Sequence, residues 1–251
     1  MFADDNDQTK TESRFIQPLV YGGKKTSIYD APYMGLVYDV KIGFYCGATI
    51  VGKKFLLTAA HCYNPKSKYY IKVGTDSLDG GKRYEIETIV PHPGYDADAG
   101  NNDVAVIKLK RDLKFNRRVR PIRMAPKDIK LTSGDMMTTM GFGATELDSI
   151  SHYLLRVDVP YVSNADCASI LSSITTSMIC AGGEKGKDAC HGDSGGPLIY
   201  GDMIVGIVSF GVGCGEQWPG VYASVPALRD FIDQTISQLS TPSIKRFYSP
   251  W

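Results

Sequence analysis

The sequence predicts an all-β fold finished by a single helix. From Val20 onward, short apolar or alternating runs recur, among them FLLTAA, YYIKVG, DVAVIKL, VDVPYV and MIVGIVSFG. Gly, Pro, Asn and Asp punctuate them, and many short strands with turn signals between them mark a β-sandwich or barrel. No repeat is visible at the periods of solenoids or propellers. One segment departs from the pattern. In SVPALRDFIDQTISQL, Leu228, Phe231, Ile232, Ile236 and Leu239 fall at helical spacing. Ser224 is suited to cap it and Pro226 to its first turn, so the expected helix runs over 226–239.

Flanking segments read differently. Residues 1–19 are polar, with few apolar side chains, and predict a disordered lead. The opening MFADDNDQTKTESR lacks an apolar signal core, so any secretion signal is expected to have been removed already. Residues 240–251 form a C-terminal tail. The length of 251 residues is enough for a sizeable core, as one domain or two close-packed halves.

Charge and cysteine content narrow the function classes. With 28 Lys and Arg against 27 Asp and Glu, the formal net charge is +1, which argues against a global nucleic-acid or membrane partner. No apolar run is long enough to predict a transmembrane helix. The six cysteines, Cys46, Cys62, Cys167, Cys180, Cys190 and Cys214, include no C-x-x-C pair, which weakens zinc and thioredoxin-like readings. Their even number suits disulfides in a secreted, oxidising setting, with fifteen pairings open.

Chemistry concentrates around Ser194, in KDACHGDSGGPL. Glycine is favoured where backbone turns sharply or approaches another group closely. Gly192, Gly195 and Gly196 therefore suit an oxyanion hole of bare N–H groups, and equally a tight turn. A serine hydroxyl needs an adjacent base, usually a histidine oriented by a third group. His61 lies in LLTAAHCYN at the end of an apolar strand, beside a cysteine able to pin it. Asp103 leads straight into the apolar run of NNDVAVIKL, where burial demands a partner for its charge.

Taken together, TAAHC, NNDVAVIKL and GDSGGPL in that order resemble the trypsin/chymotrypsin-like serine peptidases, over about residues 20–239. The resemblance implies two packed antiparallel six-stranded β-barrels with a C-terminal α-helix. It implies a catalytic triad of His61, Asp103 and Ser194, with an oxyanion hole from the N–H groups of Gly192 and Ser194. It pairs the cysteines as Cys46–Cys62, Cys167–Cys180 and Cys190–Cys214. By the same likeness Asp188 is the floor of a pocket for a substrate Arg or Lys, Gly211 and Gly220 are its walls, and Ser209 lines the substrate strand and touches Asp103. Two residues depart from the family's pattern. Phe210 stands where Trp is usual, keeping an aromatic floor of smaller area for the second substrate pocket. His191 occupies a rim position often held by Gln, where it is expected to alter selectivity beyond the first residue.

The family's precursors are cut before an Ile-Val-Gly-Gly start, and here the matching stretch is VYGG at Val20, preceded by Leu19. The freed amino group of Val20 is expected to pair with Asp193. The nearest basic site is Arg14, and a cut there leaves five extra residues, roughly 17 Å of extended chain.

The resemblance therefore implies a secreted, monomeric endopeptidase made as a zymogen. Its expected partners are protein or peptide substrates, an activating protease and protein protease inhibitors, with no cofactor or metal. The stretch VGTDSLDGGKRYEIE lacks the paired glutamates of the family's calcium loop, so Asp76 and Asp79 read as ordinary loop charges. The alternative is a non-catalytic homologue that uses the fold for binding, although such homologues usually lack a triad member. One segment is left over: KLKRDLKFNRRVRPIR, residues 108–123, carries eight basic residues against one Asp. It reads as a solvated face, with an exosite for a polyanion or acidic partner as the alternative.

Overall fold

The computed structural model describes residues 22–144 and 149–241. A short strand β1 (Lys24–Lys25) precedes β2 (Met34–Asp39), β3 (Gly43–Ile50), β4 (Phe55–Thr58), β5 (Tyr69–Val73), β6 (Lys82–Pro91) and β7 (Ala105–Leu109). The last six close into an antiparallel barrel in the order β2-β3-β4-β7-β6-β5. The second half contains β8 (Arg123–Met124), β9 (Met136–Gly141), β10 (Leu155–Val162), β11 (Met178–Gly182), β12 (Pro197–Tyr200), β13 (Met203–Phe210) and β14 (Pro219–Ser224). There β9-β10-β11-β14-β13-β12 closes through the β9–β10 pairing, with β1 added on β10 and β8 on β13. Closure removes the unpaired edges that an open sheet of this kind would expose. Two six-stranded barrels is the architecture that the resemblance implies.

The period-2 pattern separates inside from outside at the exposed face of the first barrel, whereas central strands of the second are buried on both faces. In β6, Tyr84 is buried while Arg83, Glu85 and Glu87 face solvent. In β13, Ile204 to Ser209 are all buried, and its partners β12 and β14 are nearly so. A third apolar cluster joins the halves. Ile28, Met34 and Leu36 pack there with Met140, Phe142 and Leu154.

The terminal helix α2 spans Arg229–Ser240, starting later than its periodicity predicts. Ser224 does cap, but it caps the preceding turn: Ala227 N–H donates to its hydroxyl at 3.4 Å, and Leu228 N–H to its carbonyl at 3.0 Å. Leu228 and Ile232 then bury against the first barrel. A second helix, α1 (Asn164–Ile170), was not legible as periodicity, being only two turns long. Its signal is a cap: Ser163 Oγ accepts from Asp166 N–H at 3.1 Å. Asp76 also differs from expectation. Asp79 is a loop charge beside His152 at 3.2 Å, but the Asp76 carboxylate accepts from Ile28 N–H at 3.3 Å and ties its loop to the chain after β1.

The cysteines pair Cys46–Cys62, Cys167–Cys180 and Cys190–Cys214, as the resemblance implies. The barrels meet tightly at Gly47, whose N–H donates to Ser194 O at 2.8 Å. A Cβ at Gly47 would lie 2.9 Å from both Cα and N of Gly196, backbone atoms that cannot swing aside. Gly47→Ala is therefore expected to lower stability by about 1–3 kcal/mol through overpacking, measured by urea denaturation. An unchanged midpoint would contradict this view of the seam.

Candidate active site

Strand register brings the first two candidate residues together. Thr58 at the end of β4 pairs with Ala105 at the start of β7, so the residues just after one lie beside those just before the other. His61 sits in the single helical turn Ala60–Cys62, pinned by the Cys46–Cys62 disulfide, and Asp103 precedes β7. His61 Nδ1 lies 2.7 Å from Asp103 Oδ2, and His61 N–H donates to Oδ1 at 2.9 Å. The second barrel adds a third donor, because Ser209 Oγ on β13 reaches Oδ2 at 2.5 Å.

These donors decide the charge of Asp103, which is only 2% exposed. Burial alone pushes its carboxyl up, but the hydrogen bonds and charge of His61 and the Ser209 hydroxyl outweigh that and hold it below the usual carboxylate range. An ionised Asp103 accepts from Nδ1–H, which leaves Nε2 of a neutral ring with a free lone pair.

Ser194 arrives from the second barrel on the turn before β12. Gly195 has a φ of +77°, and a Cβ there would meet Thr58 Oγ1 at 2.3 Å and Gly47 O at 2.6 Å. The turn thus packs directly on the strand end that leads to His61. Around Ser194, the amides of Asp193, Gly195 and Gly196 donate to the carbonyls of Cys190, Val208 and Asp193. Those of Gly192 and Ser194 donate to no described protein group. Gly192 has a φ of +96°, a conformation that a side chain would strain. Two N–H groups in the Ser194 turn are thus without a described partner.

Ser194 and Ser209 share the wall of a cavity of about 220 Å³. Gly211, Gly220, Phe210 and His191 line it too, so the structure gathers the expected pocket residues. Asp188 also lines it and is 4% exposed. Burial pushes its carboxyl up to about 7, opposed by the backbone amides of Gly215 and Ala189 and reinforced by the charge of Asp193. Sequence reasoning missed Tyr222, whose ring lines this cavity. It also missed a neighbouring cavity of about 340 Å³, lined by His61, Tyr95, Asp98, Gly100 and Phe210. Phe210 forms a wall of both. Gly100 makes room for that ring, since a Cβ would stand 2.5 Å from Phe210 Cε1.

Asp193 is buried on the far side of Ser194's turn. Its carboxylate accepts from Gly143 N–H at 2.8 Å and Cys190 N–H at 3.0 Å, and burial pushes it up to about 6. Side chains at Gly141 or Gly143 would collide with it, at 2.0 and 2.3 Å. Among the described residues no Lys, Arg or His pairs with it. Val20, its expected partner, lies outside the described residues. The other histidines are accounted for elsewhere: His92 packs edge-on against Phe231, and His152 meets Asp79.

A family model described as Trypsin matches residues 20–232. The chain is 36% identical over 237 residues to a vitellin-degrading protease of Bombyx mori, covering 90% of this chain and 89% of that protein. It is 32% identical over 226 residues to a trypsin of Phaedon cochleariae, covering 86% of this chain and 87% of that one. A trypsin 5G1 of Aedes aegypti is 31% identical over 223 residues, with 86% and 84% covered.

The raised carboxyl of Asp188 sets a sign for pH effects. Folded Asp188 holds its proton to higher pH than the unfolded chain does, so the stability of the empty protein falls as pH rises from about 4 to 7, where the unfolded chain has ionised and the folded carboxyl has not. A cation in the cavity offsets that. Binding of a small aromatic amidine is therefore expected to weaken about tenfold for each pH unit below about 7, measured by calorimetry. Affinity flat from pH 5 to 8 would contradict the assignment.

Proposed function

This chain belongs to the trypsin family of serine peptidases, and from that membership and the site's geometry we propose that it is a secreted endopeptidase cleaving after Arg or Lys, made as a zymogen. The observation that carries the reading is the Asp103 carboxylate held to His61 Nδ1 at 2.7 Å, with Ser194 and buried Asp188 lining one cavity nearby.

In the proposed cycle His61 Nε2 takes the Ser194 proton as Oγ bonds to the scissile carbonyl carbon. The carbonyl oxygen becomes an oxyanion facing the Gly192 and Ser194 amides, each worth roughly 3–4 kcal/mol to such a transition state. His61 then donates its proton to the leaving amine as the peptide bond breaks, giving an acyl-enzyme and freeing the first product. Water, deprotonated by His61, attacks the ester carbonyl, and His61 returns that proton to Ser194 Oγ as the acyl C–O bond breaks and the second product leaves. Asp103 stays ionised and stabilises the transient imidazolium. Ser209 positions Asp103. Gly211 and Gly220 keep the cavity open to a long side chain, whose charge Asp188 answers. Phe210 and His191 flank the positions beyond it.

Activation is read from Asp193. A buried carboxylate met only by amides calls for a cation, and the α-amino group freed at Val20 supplies one. Losing one partner of such a buried pair costs roughly 3–5 kcal/mol. Because Leu19 precedes Val20, a second protease that accepts leucine is the proposed activator, with 1–19 as the propeptide of the 20–239 domain. The three disulfides support an extracellular setting. Protein substrates and protein inhibitors are the proposed partners of a monomeric enzyme.

Two measurements test this. On paired peptides differing only in Arg or Phe before the cut, kcat/KM favours Arg, and Asp188→Ser lowers the Arg value by several orders of magnitude while the variant stays folded. A wild-type preference for Phe would refute the specificity. N-terminal sequencing of the most active form is expected to begin at Val20, and a start at Phe15 would refute the activation scheme.

A further inference from the structure

His61 and Ser209 fix the Asp103 carboxylate, but the backbone behind it is fixed from elsewhere. Asp103 is the middle residue of a tight turn in which Val104 N–H donates to Asn102 O at 2.8 Å. Asn102 has a φ of +55° and, glycines aside, is alone among the described residues in the left-handed region. Asparagine enters that region more readily than most residues, yet it stays there only where its neighbours hold it. Within its own barrel Asn102 Nδ2 donates to Gly94 O at 2.9 Å, and Asp96 N–H donates to Asn101 O at 3.0 Å.

The remaining restraints come from the second barrel. Thr175 and Ser177 stand in the turn that leads into β11, closed by Met178 N–H on Thr175 O at 3.2 Å. Both hydroxyls donate to one acceptor, Asn101 Oδ1, at 2.7 and 2.5 Å. Ser177 Oγ also accepts from Asn102 N–H at 3.1 Å. The turn is itself braced. Asn164 Nδ2, at the start of α1, donates to the carbonyls of Thr175 and Met178 at 3.3 and 3.0 Å, and Ser224 N–H donates to Ser177 O at 2.8 Å. Ser177 is buried, so a hydrogen bond lost there leaves a partner unsatisfied.

We propose, resting on the peptidase reading above, that Thr175 and Ser177 are positioning residues for the reaction: their hydroxyls hold Asn101 and Asn102 so that Asp103 presents its carboxylate to His61. The route is short. Asn101 and Asn102 immediately precede Asp103, so a change of φ at Asn102 redirects the next residue's side chain. The second barrel thus sets Asp103 twice, through Ser209 at the carboxylate and through this pair at the backbone. Neither Thr175 nor Ser177 lines the cavities beside Ser194 and His61, so their effect falls on the chemical step and not on substrate binding. Misplacing a reacting group by about 1 Å can cost on the order of a hundredfold in rate.

The test uses the chain processed to its active form, with kcat and KM for a short Arg peptide and the proton NMR signal of His61 Nδ1–H as readouts. The double variant Thr175→Val, Ser177→Ala is expected to lower kcat about tenfold or more with KM nearly unchanged, and to shift or broaden that proton signal. Thr175→Ser, which keeps the hydroxyl, is expected to retain the wild-type kcat. So is Thr176→Val, whose hydroxyl forms no hydrogen bond among the described residues. Asn101→Ala is expected to match the double variant, and adding the two substitutions to it to cost nothing more, because all three act along one path. A wild-type kcat and proton signal in the folded double variant would overturn the proposal, whatever its unfolding midpoint. So would a loss confined to KM. Should the double variant not fold, Ser177→Ala alone carries the same comparison with a smaller expected loss. An inactive wild type would refute the peptidase reading and this proposal with it, whereas an active wild type matched by the double variant refutes the proposal alone.

Discussion

A carboxylate removed from water must be met by donors or a cation, and Asp103 is met from both barrels at once. His61 reaches it from the end of β4 and Ser209 from β13. Neither half alone supplies all three donors. The site therefore exists only where the two closed barrels are docked in one register, and the packing at Gly47, Gly195 and Gly196 serves that docking. Bulk there would separate the Ser194 turn from the strand that delivers His61.

Three buried aspartates in this region have different electrostatic fates. Asp103 has three hydrogen-bond donors and stays ionised. Asp188 and Asp193 have backbone amides but no described cation, and burial pushes both up, to about 7 and about 6. The protein thus keeps two carboxylates in a state that an external positive charge would improve. In the proposed function that charge is a substrate side chain for Asp188 and a new chain terminus for Asp193. The proposed substrate selection and the proposed activation thus draw on the same physical deficit at two positions.

Much of this was legible in the sequence because strand alternation and motif order are local signals. The strands holding FLLT, YYIKV, AVIKL and MIVGIVSF stand where their patterns place them. The Asp103–Ser209 contact and the three disulfides were accessible only through resemblance to a family, since they join residues far apart in the chain. What remained hidden was set by packing. α1 is too short for periodicity to register, and Ser224 caps a turn ahead of α2. The fit of Phe210 to Gly100 and the ring of Tyr222 in the pocket wall depend on neighbours that no local pattern names. The charge of 108–123 was visible at once, but not which of its cations the acids of the fold neutralise.

The central claim is that the His61–Asp103–Ser209 network activates the Ser194 hydroxyl. The most direct measurement is the rate at which a fluorophosphonate modifies Ser194 in chain processed to its active form, read by mass spectrometry of the modified peptide. The account predicts selective modification of Ser194, slowed about tenfold or more by Ser209→Ala, consistent with losing a hydrogen bond to a charged group. It predicts near abolition by His61→Ala. Modification of Ser194 at the same rate in His61→Ala, or no modification of the wild type, would contradict it.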